Sequence, residues 1–203
     1  MIVNFGCGAN PATGDSGYLN IDGSLTVRLA KLPFPASFFG TRADFIGVIR
    51  AQGIRYGTAD RLKFPPNSLD GFYASHVLEH LPRRRCEDLL ARLLVWLKPS
   101  GVLRVVLPDL KRFAASYVAG KTNASELVAS THLAEDGLSW WEIAFGHSQH
   151  RWMYDADSFS QILVRLGYRD VREHSFGEGR LPALSALDIP SRQAESFYIE
   201  AGK

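Results

Sequence analysis

The chain has 203 residues, 46% hydrophobic and 22% charged, with a formal net charge of +2. That length suits a single domain able to bury its own core. The near-neutral balance points away from a nucleic-acid partner, and no apolar run reaches the roughly 20 residues that span a bilayer. The two cysteines, Cys7 and Cys86, form neither a disulfide framework nor a zinc motif. With no basic, apolar leader after Met1, the expectation is a cytoplasmic monomer or homodimer.

Met1 to Phe5 reads as a short buried strand running into Gly6-Cys7-Gly8. Tyr18 to Asp22 is a second strand with an acid at its carboxyl end. About ten residues separate Gly8 from Tyr18, fewer than a parallel crossover usually needs, so a turn or short 3₁₀ piece is expected where a helix normally stands. Ala43 to Gln52 has helical spacing closed by Gly53. Ile54 to Ala59 is a third strand before Asp60, and Leu69 to Ser75 a fourth. Arg84 to Leu97 is the strongest amphipathic helix, stopped at Lys98-Pro99-Ser100-Gly101.

Val102 to Leu107 is a continuous apolar run, as in a strand covered on both faces. Asp109 caps a helix through Ala119. A less regular aromatic and histidine-bearing stretch follows, with Trp140, Trp141, Phe145, His147, His150 and Trp152. A helix capped by Asp155 or Asp157 ends at Gly167, and Val171 to His174 and Ser196 to Ala201 are the last strands. The order predicts an α/β, Rossmann-like fold in one domain over 1–203. Its seven-strand-type sheet is mostly parallel, with helices on both faces, a shortened first crossover and an antiparallel C-terminal edge hairpin. Residues 111–154 form a helical and aromatic insert suited to a lid or acceptor pocket.

In such sheets ligands sit beyond the carboxyl ends of the strands, where strand order reverses. Gly6 and Gly8, Asp22, Asp60, and Ser75 with His76 all fall at those ends. Glycines allow close backbone approach. Asp22 can accept from both hydroxyls of a ribose, and Asp60 from an adenine amine. His76, Glu79 and His80 invite a zinc reading, but His76 belongs to a strand end and shares no helical face with His80, so no metal is expected. Arg83-Arg84-Arg85 reads as a solvated helix start.

Val3-Asn4-Phe5-Gly6-Cys7-Gly8, Asn20-Ile21-Asp22, Gly57-Thr58-Ala59-Asp60 with Leu62-Lys63-Phe64-Pro65, Ser68-Leu69-Asp70, Ser75 to Leu81 (SHVLEHL) and Leu97 to Gly101 (LKPSG) resemble, in order, the successive motifs of class I S-adenosylmethionine-dependent methyltransferases, of the type 11-like kind. His150 to Tyr154 and Ala194-Glu195-Ser196 further resemble a stand-alone bacterial subgroup associated with surface-polysaccharide and glycosyltransferase systems. The resemblance implies S-adenosyl-L-methionine as cofactor, S-adenosyl-L-homocysteine as product, and a small-molecule or saccharide acceptor. It implies that Gly6 and Gly8, with Cys7 between them, line the methionine part. Asp22 would bind the ribose, Asp60 and Arg61 would border the adenine, and Ser75 and His76 would close the site near the sulfonium. Cys7 itself reads as a small packed residue rather than an activated thiol.

Asn4 stands where an acid is usual and Asn10 where a third glycine is usual; Asn tolerates left-handed backbone angles. If the acceptor is a hydroxyl, His150, His147 or Asp109 can act as its base. Two other readings share these features. One is an NAD(P)-dependent oxidoreductase, which lacks here its third glycine, a full first helix and an acid about 20 residues on. The other is a non-catalytic protein that binds S-adenosylmethionine.

Overall fold

The computed structural model describes residues 1–13, 17–133 and 149–203. Its centre is one seven-stranded sheet: β1 (Ile2–Phe5), β2 (Tyr18–Asp22), β3 (Arg55–Tyr56), β4 (Leu69–Ser75), β5 (Leu97–Pro108), β6 (Arg169–His174) and β7 (Ser196–Gly202), in the spatial order β3-β2-β1-β4-β5-β7-β6. β7 runs antiparallel to both β5 and β6, and the pairings from β3 through β5 are parallel. The C-terminal hairpin is thus present. Its last strand is inserted between β5 and β6, which leaves β6 at the edge. Strand order reverses between β1 and β4, the place where such sheets open a crevice.

Seven helices are described: α1 (Leu25–Leu29), α2 (Ala43–Ala51), α3 (Arg83–Trp96), α4 (Leu110–Val118), α5 (Ala124–Thr131), α6 (Ala156–Leu166) and α7 (Pro182–Ser185). α3 buries Leu89, Leu90 and Leu93 against one face of the sheet, and α6 adds Phe159, Ile162 and Leu163 to the same core. α6 starts in a capping box between Asp155 and Ser158 and stops at Gly167, whose φ of 99° is left-handed. The opposite face carries a smaller cluster of Ile2, Tyr73, Val102, Val106, Tyr198 and Leu184 from α7. α1 and α2 close the third cluster around Val27, Ile46 and Ile49.

The described part of the first crossover contains no helix. Asn10 N–H closes a turn on Cys7 O at 2.8 Å. Beyond it two buried asparagines take over the bonding that a helix would have satisfied internally. Asn20 Oδ1 accepts from Ala12 N–H at 2.8 Å and Asn20 Nδ2 donates to Ala12 O at 2.9 Å. Asn4 Nδ2 donates to Asn20 Oδ1 at 3.1 Å and to Asn10 O at 3.3 Å. The Asn4 side chain therefore works in the loop, and its identity is explained by the missing helix; Asn10 contributes its backbone N–H and carbonyl and does not adopt the left-handed angles that asparagine tolerates.

Part of the face left uncovered is filled by the segment around α7. Leu181 and Leu184 lie so close to the strand that a Cβ on Gly71 would meet each at 3.1 Å. This segment is pinned by Arg104, fully buried on β5, which donates to Asp188 Oδ1 at 2.9 Å, to Glu200 Oε1 at 3.0 Å and to Glu178 O at 2.8 Å. Glu200 is its cross-strand neighbour on β7. Asp188 also accepts from Gly177 N–H at 2.9 Å and Glu200 from Arg180 N–H at 2.7 Å, so both buried carboxylates are multiply satisfied.

Candidate functional site

Parallel register aligns the carboxyl ends of β1, β2, β3 and β4 on one edge of the sheet. A cavity of about 440 Å³ opens there, lined among others by Gly6, Gly8, Asp22, Thr58, His76 and His80. The chain turns off β1 with Gly6 at φ 70° and Gly8 at φ 50°. A Cβ on Gly6 would stand 2.1 Å from Val77 Cγ2, so only glycine lets the turn sit against the β4 end; a Cβ on Gly8 would meet nothing within 4 Å. Cys7, between them, points inward to the α1–α2 cluster. Burial, with the charge of Asp22 adding to it, pushes its thiol up to about 12, which makes it a packing residue.

Asp22 organises the floor of the cavity. Its Oδ2 accepts from Gly8 N–H at 3.0 Å and its Oδ1 from Ser24 N–H at 2.8 Å. A carboxylate has about four acceptor positions, so each oxygen keeps one, on a residue that lines the cavity. The 3₁₀ turn Ala59–Arg61 borders the same space through Thr58 and Ala59. It is held in place by Arg92 of α3, which donates to Ala59 O at 2.7 Å and Leu62 O at 3.1 Å, a positioning role that the sequence did not disclose. The side chain of Asp60 turns outward and pairs with Arg85 at 3.1 Å on the surface. Neither Asp60, Arg61 nor Ser75 is among the residues lining the cavity.

His76 leaves the end of β4 in the left-handed region, φ 51°. Its Nε2 lies 2.8 Å from Ser196 Oγ, and its Nδ1 is 3.2 Å from Arg192 Nη1. An arginine can only donate, so Nδ1 accepts and Nε2 carries the proton given to Ser196. Burial, and then the nearby Arg192 charge, hold its imidazole down at about 3. It is a neutral, fixed wall. Behind it Glu79 is fully buried, and burial raises its carboxyl to about 8.

The third catalytic candidate set divides. His150 is buried, with its ring 4.9 Å from that of His80 and 5.3 Å from that of His132. His80 reaches the cavity directly. Asp109 caps α4, accepting from Lys111 N–H at 3.0 Å and from Arg112 Nε at 3.1 Å, and it is not among the residues lining the cavity. His147 lies outside the described residues, as do Trp140, Trp141 and Phe145. Of the insert's aromatics, Trp152 is described, half exposed under Arg83 at 5.3 Å. Arg83 and Arg85 form surface ion pairs with Glu87 and Asp60. The described residues include no helix long and apolar enough to cross a membrane.

A family described as a methyltransferase domain matches residues 24–173, roughly three quarters of the chain. Among solved structures, an S-adenosylmethionine-dependent methyltransferase from Mesorhizobium loti is 17% identical with a TM-score of 0.55, covering 100% of this chain and 90% of the other. One from Archaeoglobus fulgidus is 16% identical with a TM-score of 0.54, covering 100% and 85%. A phosphoethanolamine N-methyltransferase from Haemonchus contortus, solved with phosphomonomethylethanolamine and S-adenosylhomocysteine, is 12% identical with a TM-score of 0.52, covering 100% and 48%. No curated protein matches the chain. The chain belongs to the methyltransferase-domain family, and its fold is that of the class I S-adenosylmethionine-dependent methyltransferases.

Proposed function

We propose that the chain transfers a methyl group from S-adenosyl-L-methionine to a small-molecule or saccharide acceptor. The observation that carries this reading is the convergence of Gly6, Gly8, Asp22 and His76 on one cavity at the strand ends. The fit is specific in two respects. The free acceptor positions of Asp22 suit the two hydroxyls of a ribose, and the Gly6 turn admits no side chain that could fill the space. Thr58 and Ala59, with Asp60 and Arg61 just beyond, form the border proposed for the adenine. Gly6 and Gly8 take the methionine part, and His76 closes the sulfonium end, with Ser75 just before it on the strand.

When bound, the cofactor supplies a methyl carbon made electrophilic by its sulfonium, and it leaves as S-adenosyl-L-homocysteine. The protein's share is alignment and exclusion of water. His76 serves as a neutral wall, because a cation there would repel the sulfonium. For a hydroxyl acceptor the leaving proton passes to the His80–His150 side, where imidazoles stand at the cavity and just behind it. The saccharide class is supported by the resemblance of His150 to Tyr154 and Ala194 to Ser196 to the polysaccharide-associated subgroup, and the two free cysteines fit a reducing, cytoplasmic place.

Binding separates the reading from a dinucleotide enzyme. A thermal-shift comparison is expected to show stabilisation by S-adenosylhomocysteine and none by NAD. Stabilisation by NAD alone would contradict it. Turnover of labelled cofactor with a panel of sugar acceptors then tests catalysis against simple cofactor binding.

A further inference from the structure

Next to His76, at the wall of the cavity, stands a group with no task in the reading above. Glu79 is fully buried, and neither of its carboxylate oxygens has a hydrogen-bond partner among the described residues. Buried carboxylates are normally paired, multiply hydrogen-bonded or bound to a metal. Two imidazoles face it without bonding to it. His150 Nε2 stands 3.8 Å from Glu79 Oε1, and His76 Nδ1 stands 3.6 Å from the same oxygen. Both spacings exceed a hydrogen bond. Glu79, His80 and His150 offer one ligand atom each, all within 4.8 Å of one another. Tetrahedral zinc, with ligands at about 2.0–2.1 Å, sets its donors roughly 3.3 Å apart, so small side-chain movements close the set.

We propose that Glu79, His80 and His150 form a binding site for a divalent cation of the zinc or cobalt kind, with a fourth position open to the cavity. Two imidazoles and a carboxylate match the donors of three-ligand sites that keep one place for an exchangeable oxygen. The supporting bonds orient the ligands. His80 Nδ1 lies 3.3 Å from Gln149 O, a carbonyl that accepts a hydrogen bond from it and so fixes the tautomer in which Nε2 carries the lone pair. His150 Nδ1 lies 3.2 Å from the sulfur of Met153, which directs Nε2 toward Glu79.

The backbone clamps the two ligand segments together. Arg151 and Trp152 N–H groups both donate to Glu79 O, at 2.7 and 3.1 Å, and His150 N–H donates to His132 O at 3.0 Å. A cation nearby would oppose metal binding, but Arg192, the arginine that reaches His76, is paired with Glu195 at 3.0 Å. His80 also lines the cavity of Gly6 and Asp22, so an acceptor oxygen is the natural fourth ligand. The ion would acidify that oxygen, whose proton leaves to solvent through the cavity, so that with the ion bound His80 and His150 act as ligands and not as the base. This last role rests on the methyl-transfer reading; binding of the ion does not.

The test uses the full chain, stripped with chelator and without cofactor. Cobalt(II) is titrated while visible absorption is followed, and zinc is titrated in a calorimeter. One equivalent should bind, with the intense bands of a four-coordinate ion. His80→Ala and His150→Ala should each weaken binding at least tenfold, a loss comparable to or larger than that from removing supporting residues. His80 is only partly buried, so its variant keeps the fold, which circular dichroism checks. Glu79→Gln preserves shape and should lose binding as well. His174→Gln, outside the cluster, should bind like wild type. Asp22→Ala should lose S-adenosylhomocysteine but keep cobalt, which separates failure of this site from failure of the cofactor reading. No stoichiometric binding, or equal affinity in wild type and the His80 and His150 variants, would overturn the proposal.

Discussion

At the scale of single residues, the cavity depends on atoms that have little freedom. Gly6 cannot carry a Cβ without striking Val77. Gly6→Ala should therefore lower S-adenosylhomocysteine affinity at least tenfold, and cost about 1–3 kcal/mol of stability from overpacking and the left-handed φ. Calorimetry and urea unfolding check both. Gly8→Ala meets no neighbour, so it should carry the backbone cost alone and the smaller binding loss. The cysteines supply a second check. Both are buried, and burial raises each thiol to about 12. Neither should be alkylated by iodoacetamide at neutral pH in the native chain, and both should react once it is unfolded; rapid native labelling of Cys7 would contradict its place behind the Gly6 turn. Asp22 and the glycines were legible in the sequence because strand ends and a Gly-rich turn are local signals. The outward turn of Asp60 toward Arg85 was not, because the partner comes from another helix.

At the scale of elements, most regular pieces were read closely, but the third strand, expected over Ile54 to Ala59, is only Arg55–Tyr56 before the Ala59–Arg61 turn. β2, β4 and the start of α2 stand where alternation and helical spacing put them. α3 begins one residue earlier than expected, and β5 begins at Leu97, because the Lys98 to Gly101 turn continues directly into strand pairing with β4. Short elements escaped: α1, α5, α7 and several 3₁₀ turns have too few residues to show a period. The shortened first crossover was visible from length alone, but its support was not. Asn4 and Asn20 pair across neighbouring strands, and nothing in either one's local sequence announces the other. Asn20→Ala should leave Ala12 N–H and O unpaired in a buried place, costing about 1–3 kcal/mol per group, measurable as a lower urea midpoint with an unchanged slope. At α6, Asp155→Ala should cost about 1 kcal/mol through loss of its cap.

At the scale of the whole molecule, two long-range arrangements join distant parts of the chain. Arg104 ties β5, β7 and the segment around α7 into one block through Asp188 and Glu200. Arg104→Met strands two buried carboxylates and should cost about 3–5 kcal/mol, read as a large fall in thermal midpoint; a change within about 0.5 kcal/mol would mean the network is dispensable. The other arrangement brings His150 and Gln149 onto Glu79 and His80, 69 positions away in the chain at the His80–Gln149 contact. Sequence spacing argued against a histidine pair on one helix, and His76 does stand at a strand end, apart from the turn that carries His80. What spacing could not reveal was a ligand arriving from the insert, since only the folded backbone sets Arg151 and Trp152 on Glu79.

The most direct test of the account is calorimetric titration of S-adenosyl-L-homocysteine into the wild-type chain and Asp22→Ala. The wild type is expected to bind one equivalent. The variant loses two hydrogen bonds to a charged acceptor, each worth about 1.5–3 kcal/mol, and should bind at least 100-fold more weakly. No binding by the wild type, or equal affinity in the two chains, would contradict the assignment of this cavity to the cofactor.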